Sequence, residues 1–130
     1  MPVTEGLNLS DELSKLPPNI QEKLLRLQQL QQTLQSILAQ KQQVEMEKNE
    51  VEQTLAEMVK TADDAVIYKA IGSLLVKSDK AKISADLTER KDLLVTRSAV
   101  VAKQEERVRS QVKEAQAKLQ EEINPIAGKQ

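Results

Sequence analysis

The chain has no cysteine, histidine, phenylalanine or tryptophan, and its 130 residues include one tyrosine, three glycines and four prolines. Without Cys and His there are no disulfides, no thiol nucleophiles, no imidazole bases and none of the usual transition-metal ligand sets. Aromatic side chains supply much of the area that compact cores bury, so their near-absence argues against a globular domain. A charge excess is missing too. Nineteen basic residues stand against twenty acidic ones for a formal net charge of −1, which leaves nothing to neutralise a phosphate backbone and argues against nucleic acid as a partner. No apolar run approaches the ~20 residues of a membrane span, and the opening Met1-Pro2-Val3-Thr4-Glu5 lacks the basic and apolar regions of a signal peptide. There is no Gly-rich phosphate loop and no nucleophile–base pair, and Tyr68 has no second catalytic group beside it. The expectation is a soluble cytoplasmic protein that is not an enzyme, with no cofactor, no metal site and no membrane association.

What is abundant is Ala, Leu, Val, Gln, Glu and Lys, the composition of long helices and coiled coils. Residues 1–15 carry Leu7, Leu9 and Leu13 without a sustained period and read as a tail. Pro17-Pro18-Asn19 is a break followed by a start, with Asn19 suited to cap the helix and Glu22 completing a capping-box-like pair, or with the start a few residues earlier. Heptads follow. Ile20, Leu27, Leu34 and Leu55 form one column, and Leu30, Ile37, Val44, Val51 and Met58 the other, with Lys23, Lys41 and Lys48 as the exceptions. The first helix is expected over 16–62, ending near Thr61, a length of roughly 60 Å at 1.5 Å per residue. Ser78 or Asp79 is suited to cap a second helix over 79–124, along which Leu87, Leu94, Val101, Val108 and Ala115 keep a seven-residue spacing. Asn124-Pro125 is expected to end it, leaving 125–130 as a tail.

Between the helices, 63–78 contains two short apolar and β-branched runs split by Gly72-Ser73, a pair suited to a two-residue primed turn because glycine tolerates positive φ. The expected β-hairpin puts Ile67, Lys69, Ile71, Leu74 and Val76 on one face, and Val66, Tyr68, Ala70, Leu75 and Lys77 on the other. Neither face is polar, and a lone two-stranded hairpin is marginal in water. Its edges offer unpaired N–H and C=O groups, and no third strand is legible elsewhere, so the partners are expected to come from other subunits. Val66, Ile67, Tyr68, Ile71, Gly72, Leu74, Leu75 and Val76 are the candidate oligomerisation residues. The fold class that follows is mainly α: an antiparallel two-helix coiled coil joined by one β-hairpin whose strand partners come from other subunits. Folding back on that turn brings Leu94 level with Val51, Val101 with Val44, Val108 with Ile37 and Leu119 with Leu27.

The middle of the seam is diluted by Lys41, Lys48, Lys91, Ser98 and Glu105, whereas the end far from the hairpin is apolar on both helices. Leu16, Ile20, Leu24, Leu25 and Leu27 from the first helix, with Val112, Leu119, Ile123 and Ile126 from the second, are the candidate residues for binding apolar segments of another protein. For Ile20, Leu27 and Leu119 closing layers of the coil are an equal alternative. Leu24 and Leu25 lie outside the seam columns, so two-helix packing does not account for them, and Leu25 points away from the seam.

Four stretches carry a family resemblance: Leu16-Pro-Pro-Asn-Ile-Gln-Glu-Lys-Leu, Leu27-Gln-Gln-Leu-Gln-Gln, Ile67-Tyr-Lys-Ala-Ile-Gly-Ser-Leu-Leu-Val-Lys-Ser-Asp-Lys and Lys103-Gln-Glu-Glu-Arg-Val-Arg. Together they resemble the β-type subunit of prefoldin, of the archaeal kind, over about residues 16–122. The hairpin stretch is the most specific of them, and one hairpin instead of two fits the β class. Ala70, where a larger apolar residue is common, and Ser78, where Val is common, depart from the pattern. The resemblance implies a heterohexamer of two α-type and four β-type subunits in which the β-hairpin assembles into an intersubunit β-barrel, ATP-independent holding of unfolded client proteins at the coiled-coil tips, and delivery to a group II chaperonin. The alternative function is a structural coiled-coil tether or adaptor that binds one defined protein partner.

Overall fold

A computed structural model describes residues 14–127, with side chains through Asn124. In chain order the elements are helix α1 (Pro18–Lys60), strands β1 (Ile67–Ile71) and β2 (Leu74–Ser78), and helix α2 (Lys80–Ala127). They fall into two compact units: Leu38–Lys103, which includes the hairpin, and a second unit made from the segments up to Ile37 and from Gln104 onward.

In the hairpin unit, Val44, Val51 and Leu94 form the buried cluster, and Leu55 and Leu87 pack against it. These are the heptad positions, and the cluster places Leu94 beside Val51 as the expected fold-back requires. Leu94 is 2% exposed. Burying such a side chain contributes on the order of 1.5–3 kcal/mol. Polar bridges flank this core. Ser98 Oγ donates to Glu45 Oε1 at 3.0 Å, and Arg90 lies 3.7 Å from Glu47. Lys91, one of the polar seam residues, is half-buried.

The turn between the strands is Gly72-Ser73, with Ile71 opposite Leu74, Lys69 opposite Val76 and Ile67 opposite Ser78. Gly72 has φ 58°, and no other described residue has positive φ, which is the pattern of a type II′ turn with glycine at its first central position. Lys80 fastens the base of the hairpin. Its Nζ donates to the Thr61 carbonyl at 2.8 Å and to Asp63 Oδ1 at 3.0 Å. A cation in the first turn of α2 is unfavourable for that helix, but here it meets the carbonyl-rich end of α1, where positive charge is favoured. Asp79 is the cap of α2: its Oδ1 accepts from the Lys82 N–H at 2.9 Å.

In the other unit, Ile20, Leu30, Ile37, Val108 and Leu119 are buried. Lys23 Nζ donates to Glu122 Oε1 at 3.0 Å, one turn beyond Leu27 and Leu119, so the two helices are antiparallel here too. One candidate cap and one expected terminus need correction, while the first helix starts within its expected range. Helix α1 begins at Pro18, a residue with no N–H to lose in a first turn, and the Pro17 carbonyl accepts from the Ile20 and Gln21 N–H groups at 3.0 Å. Asn19 is therefore inside the helix and is not its cap; its side chain donates to Glu122 instead. Helix α2 does not stop at Asn124-Pro125 but runs to Ala127. Asn124 is held against the preceding turn by Gln120, whose Nε2 donates to Oδ1 at 2.6 Å, and a proline so near a helix end costs the ladder one bond.

Candidate functional site

The hairpin exposes apolar side chains on both faces. Ile71, Leu74 and Val76 are exposed on the Lys69 face; Val66, Tyr68 and Leu75 are exposed on the other, Leu75 at 72%. Ile67 is half-buried. In a two-residue hairpin the pair next to the turn exchanges both backbone hydrogen bonds, and alternate pairs do so from there. Ile71–Leu74, Lys69–Val76 and Ile67–Ser78 are thus the bonded pairs. The backbone groups of Tyr68 and Ala70 point outward from β1, and those of Leu75 and Lys77 outward from β2. The sheet has two strands, so both edges are open among the described residues. An apolar element with two open edges is a template for pairing with another chain.

The second candidate site lies in the other unit, and the structure divides its residues. Ile20 and Leu119 are buried and close the packing between the helices. Leu16, Leu24, Leu27 and Val112 are half-buried. Leu25, at 51%, and Ile123, at 36%, are exposed. Ile126 lies outside the residues whose side chains are described. Leu25 borders an open depression of about 520 Å³ with Glu22, Lys23, Arg26 and Gln29, so its surroundings offer one aliphatic group ringed by polar and charged ones.

Sequence reasoning passed over Met46, Leu93 and Val100, all about half exposed on the hairpin unit. The seven-residue spacing of Leu93 and Val100 was the available signal: it puts them on one face of α2, beside the seam and not in it.

No described helix is long and apolar enough to cross a membrane. Heptad-paired helices joined through an open-edged apolar hairpin define a coiled-coil protein with an exposed two-stranded sheet. The prefoldin subunit family model matches residues 21–125. The prefoldin subunit beta of Methanothrix thermoacetophila is 46% identical over 112 residues, covering 86% of this chain and 93% of that protein. The corresponding subunit of Archaeoglobus fulgidus is 40% identical over 116 residues, covering 89% and 100%. Among solved structures, the prefoldin beta subunit from Thermococcus strain KS-1 superposes with a TM-score of 0.76 at 37% identity, over 82% of this chain and 94% of that one. The chain belongs to the prefoldin subunit family, in its beta class.

Proposed function

We propose that this chaperone subunit acts in the cytoplasm as an ATP-independent holdase, binding unfolded proteins at the ends of its helices farthest from the hairpin and passing them to a group II chaperonin. Its working form is a heterohexamer of two α-type and four β-type chains, joined by hairpins that merge into β-barrels. The observation that carries the proposal is the hairpin, apolar and exposed on both faces with both edges open. Nothing in its own chain covers it among the described residues, and assembly with other prefoldin subunits is what the family implies. Leu25, near the start of α1, and Ile123, near the end of α2, are exposed aliphatic groups remote in sequence from the hairpin.

The test is aggregation of several unrelated denatured proteins, followed by light scattering, with this chain and an α-type partner present and nucleotide absent. Suppression across the whole set supports the holdase. Protection of a single protein with a fixed stoichiometry supports the adaptor reading and overturns this one.

A further inference from the structure

The hairpin unit contains an open slot of about 890 Å³ that the sequence did not reveal. Val51, Leu87 and Leu93 supply its aliphatic surface, and Leu93 is 56% exposed there. Four carboxylates line the slot, those of Glu50, Asp86, Glu89 and Asp92, against two cations. Both cations are engaged. Lys69 reaches from β1 to Asp86 at 3.3 Å, and Arg90 lies 3.7 Å from Glu47. Glu50, Glu89 and Asp92 are exposed and make no ion pair among the described residues.

We propose that this slot is a second client subsite, selective for extended segments of unfolded protein in which Lys or Arg stands beside Leu or Val. The inference rests on reading the chain as a holder of unfolded polypeptide. Three carboxylates without cations around an aliphatic surface are complementary to a long basic side chain, whose methylene stem lies on apolar surface while its charged head meets the carboxylates. The volume lies within the roughly 300–1,000 Å³ of clefts that take compact groups, enough for a few side chains of an extended segment. An unfolded chain exposes basic and aliphatic side chains next to one another along its length. The depression beside Leu25 has one carboxylate, Glu22, against the two cations Lys23 and Arg26, where the slot has four against two, so the two subsites differ in the charge they favour.

The test uses the complex assembled with its α-type partner and two labelled peptides of equal length, one alternating Leu with Lys and one alternating Leu with Glu, followed by fluorescence anisotropy. The wild-type complex binds the cationic peptide more tightly. The triple variant Glu50→Gln, Glu89→Gln, Asp92→Asn weakens that binding by about five- to tenfold, as expected for three exposed charge contacts, and leaves the acidic peptide unaffected. Equal weakening of both peptides, or none, overturns the proposal. So does a triple variant that no longer assembles, because the slot is then a contact between subunits. A photoreactive p-benzoylphenylalanine in place of Leu93 crosslinks to the cationic peptide; crosslinking to a neighbouring subunit alone overturns the proposal. The pair Leu25→Ser and Ile123→Ser separates this inference from the holdase reading. Unchanged aggregation suppression in that variant refutes the tip while leaving the charge preference of the slot intact.

Discussion

Lys23 and Glu122, 99 residues apart in the chain, meet at 3.0 Å, and Asn19 donates to the same carboxylate. One acidic side chain near the end of α2 thus fastens two positions in the first turns of α1. Both ion-pair partners are about a third exposed, so the bridge contributes little stability beyond ~1 kcal/mol and weakens with salt. Glu122→Ala is expected to leave the melting temperature nearly unchanged. It should speed amide exchange around residues 19–23 and 119–123, where the helix ends are least braced. Unchanged exchange there would show that the bridge holds nothing.

Leu93 and Leu94 are neighbours in sequence and opposites in environment. Leu94 is buried with Val44 and Val51, so Leu94→Ala is expected to cost about 2–5 kcal/mol through lost burial and the cavity it leaves. Leu93 is exposed, and Leu93→Ala should stay within about 0.5 kcal/mol. Denaturant titration followed by far-UV circular dichroism separates the two.

Gly72 has φ 58°, and a Cβ added there would meet nothing within 4 Å. The cost of Gly72→Ala is therefore conformational and not steric, about 1–2 kcal/mol for a side chain held in the left-handed region. Because the hairpin is the assembly element in this account, that cost should appear as weaker association with an α-type subunit in sedimentation, at unchanged helical content. Gly72→Asn should lose less, since asparagine tolerates this region better.

Leu25→Ser with Ile123→Ser removes two aliphatic side chains that are exposed among the described residues, without opening the buried core around Ile20 and Leu119. Client capture should fall several-fold while assembly and melting stay as in wild type, because surface substitutions of this kind change stability by about 0.5 kcal/mol or less. Replacing the buried Leu119 instead is expected to destabilise that end of the helices, confounding capture with unfolding.

How much of this was legible follows from how local each signal is. Heptad spacing identified Leu30, Ile37, Val44, Val51 and Met58 as one buried column because a helix repeats its face at nearly that interval. The Gly72-Ser73 turn fixed the strand register, since slipping by one residue would exchange the faces, and Asp79 announced its own helix. The helix ends were harder. Asn19 has the right chemistry for a cap, but Pro18 already fits a first turn, and the nearby carboxylate of Glu122, more than 100 residues away in sequence, was invisible to local reasoning. Composition alone could not divide the apolar tip into buried Ile20 and Leu119 and exposed Leu25 and Ile123, because the division depends on how the two helices are rotated about their axes. The slot beside Leu93 depends on where the hairpin sits against α2, a relation held by the long-range pair Lys69–Asp86.

The central claim is that the hairpin's exposed apolar faces join this chain to other prefoldin subunits, and native mass spectrometry of the chain mixed with an α-type subunit tests it most directly. The wild-type chain should give a six-subunit complex with two α-type chains. The variant Ile71→Asp with Leu75→Asp, which charges both faces, should leave separated subunits that remain helical. A full complex from that variant, or a wild-type chain that stays monomeric beside its partner, would contradict the claim.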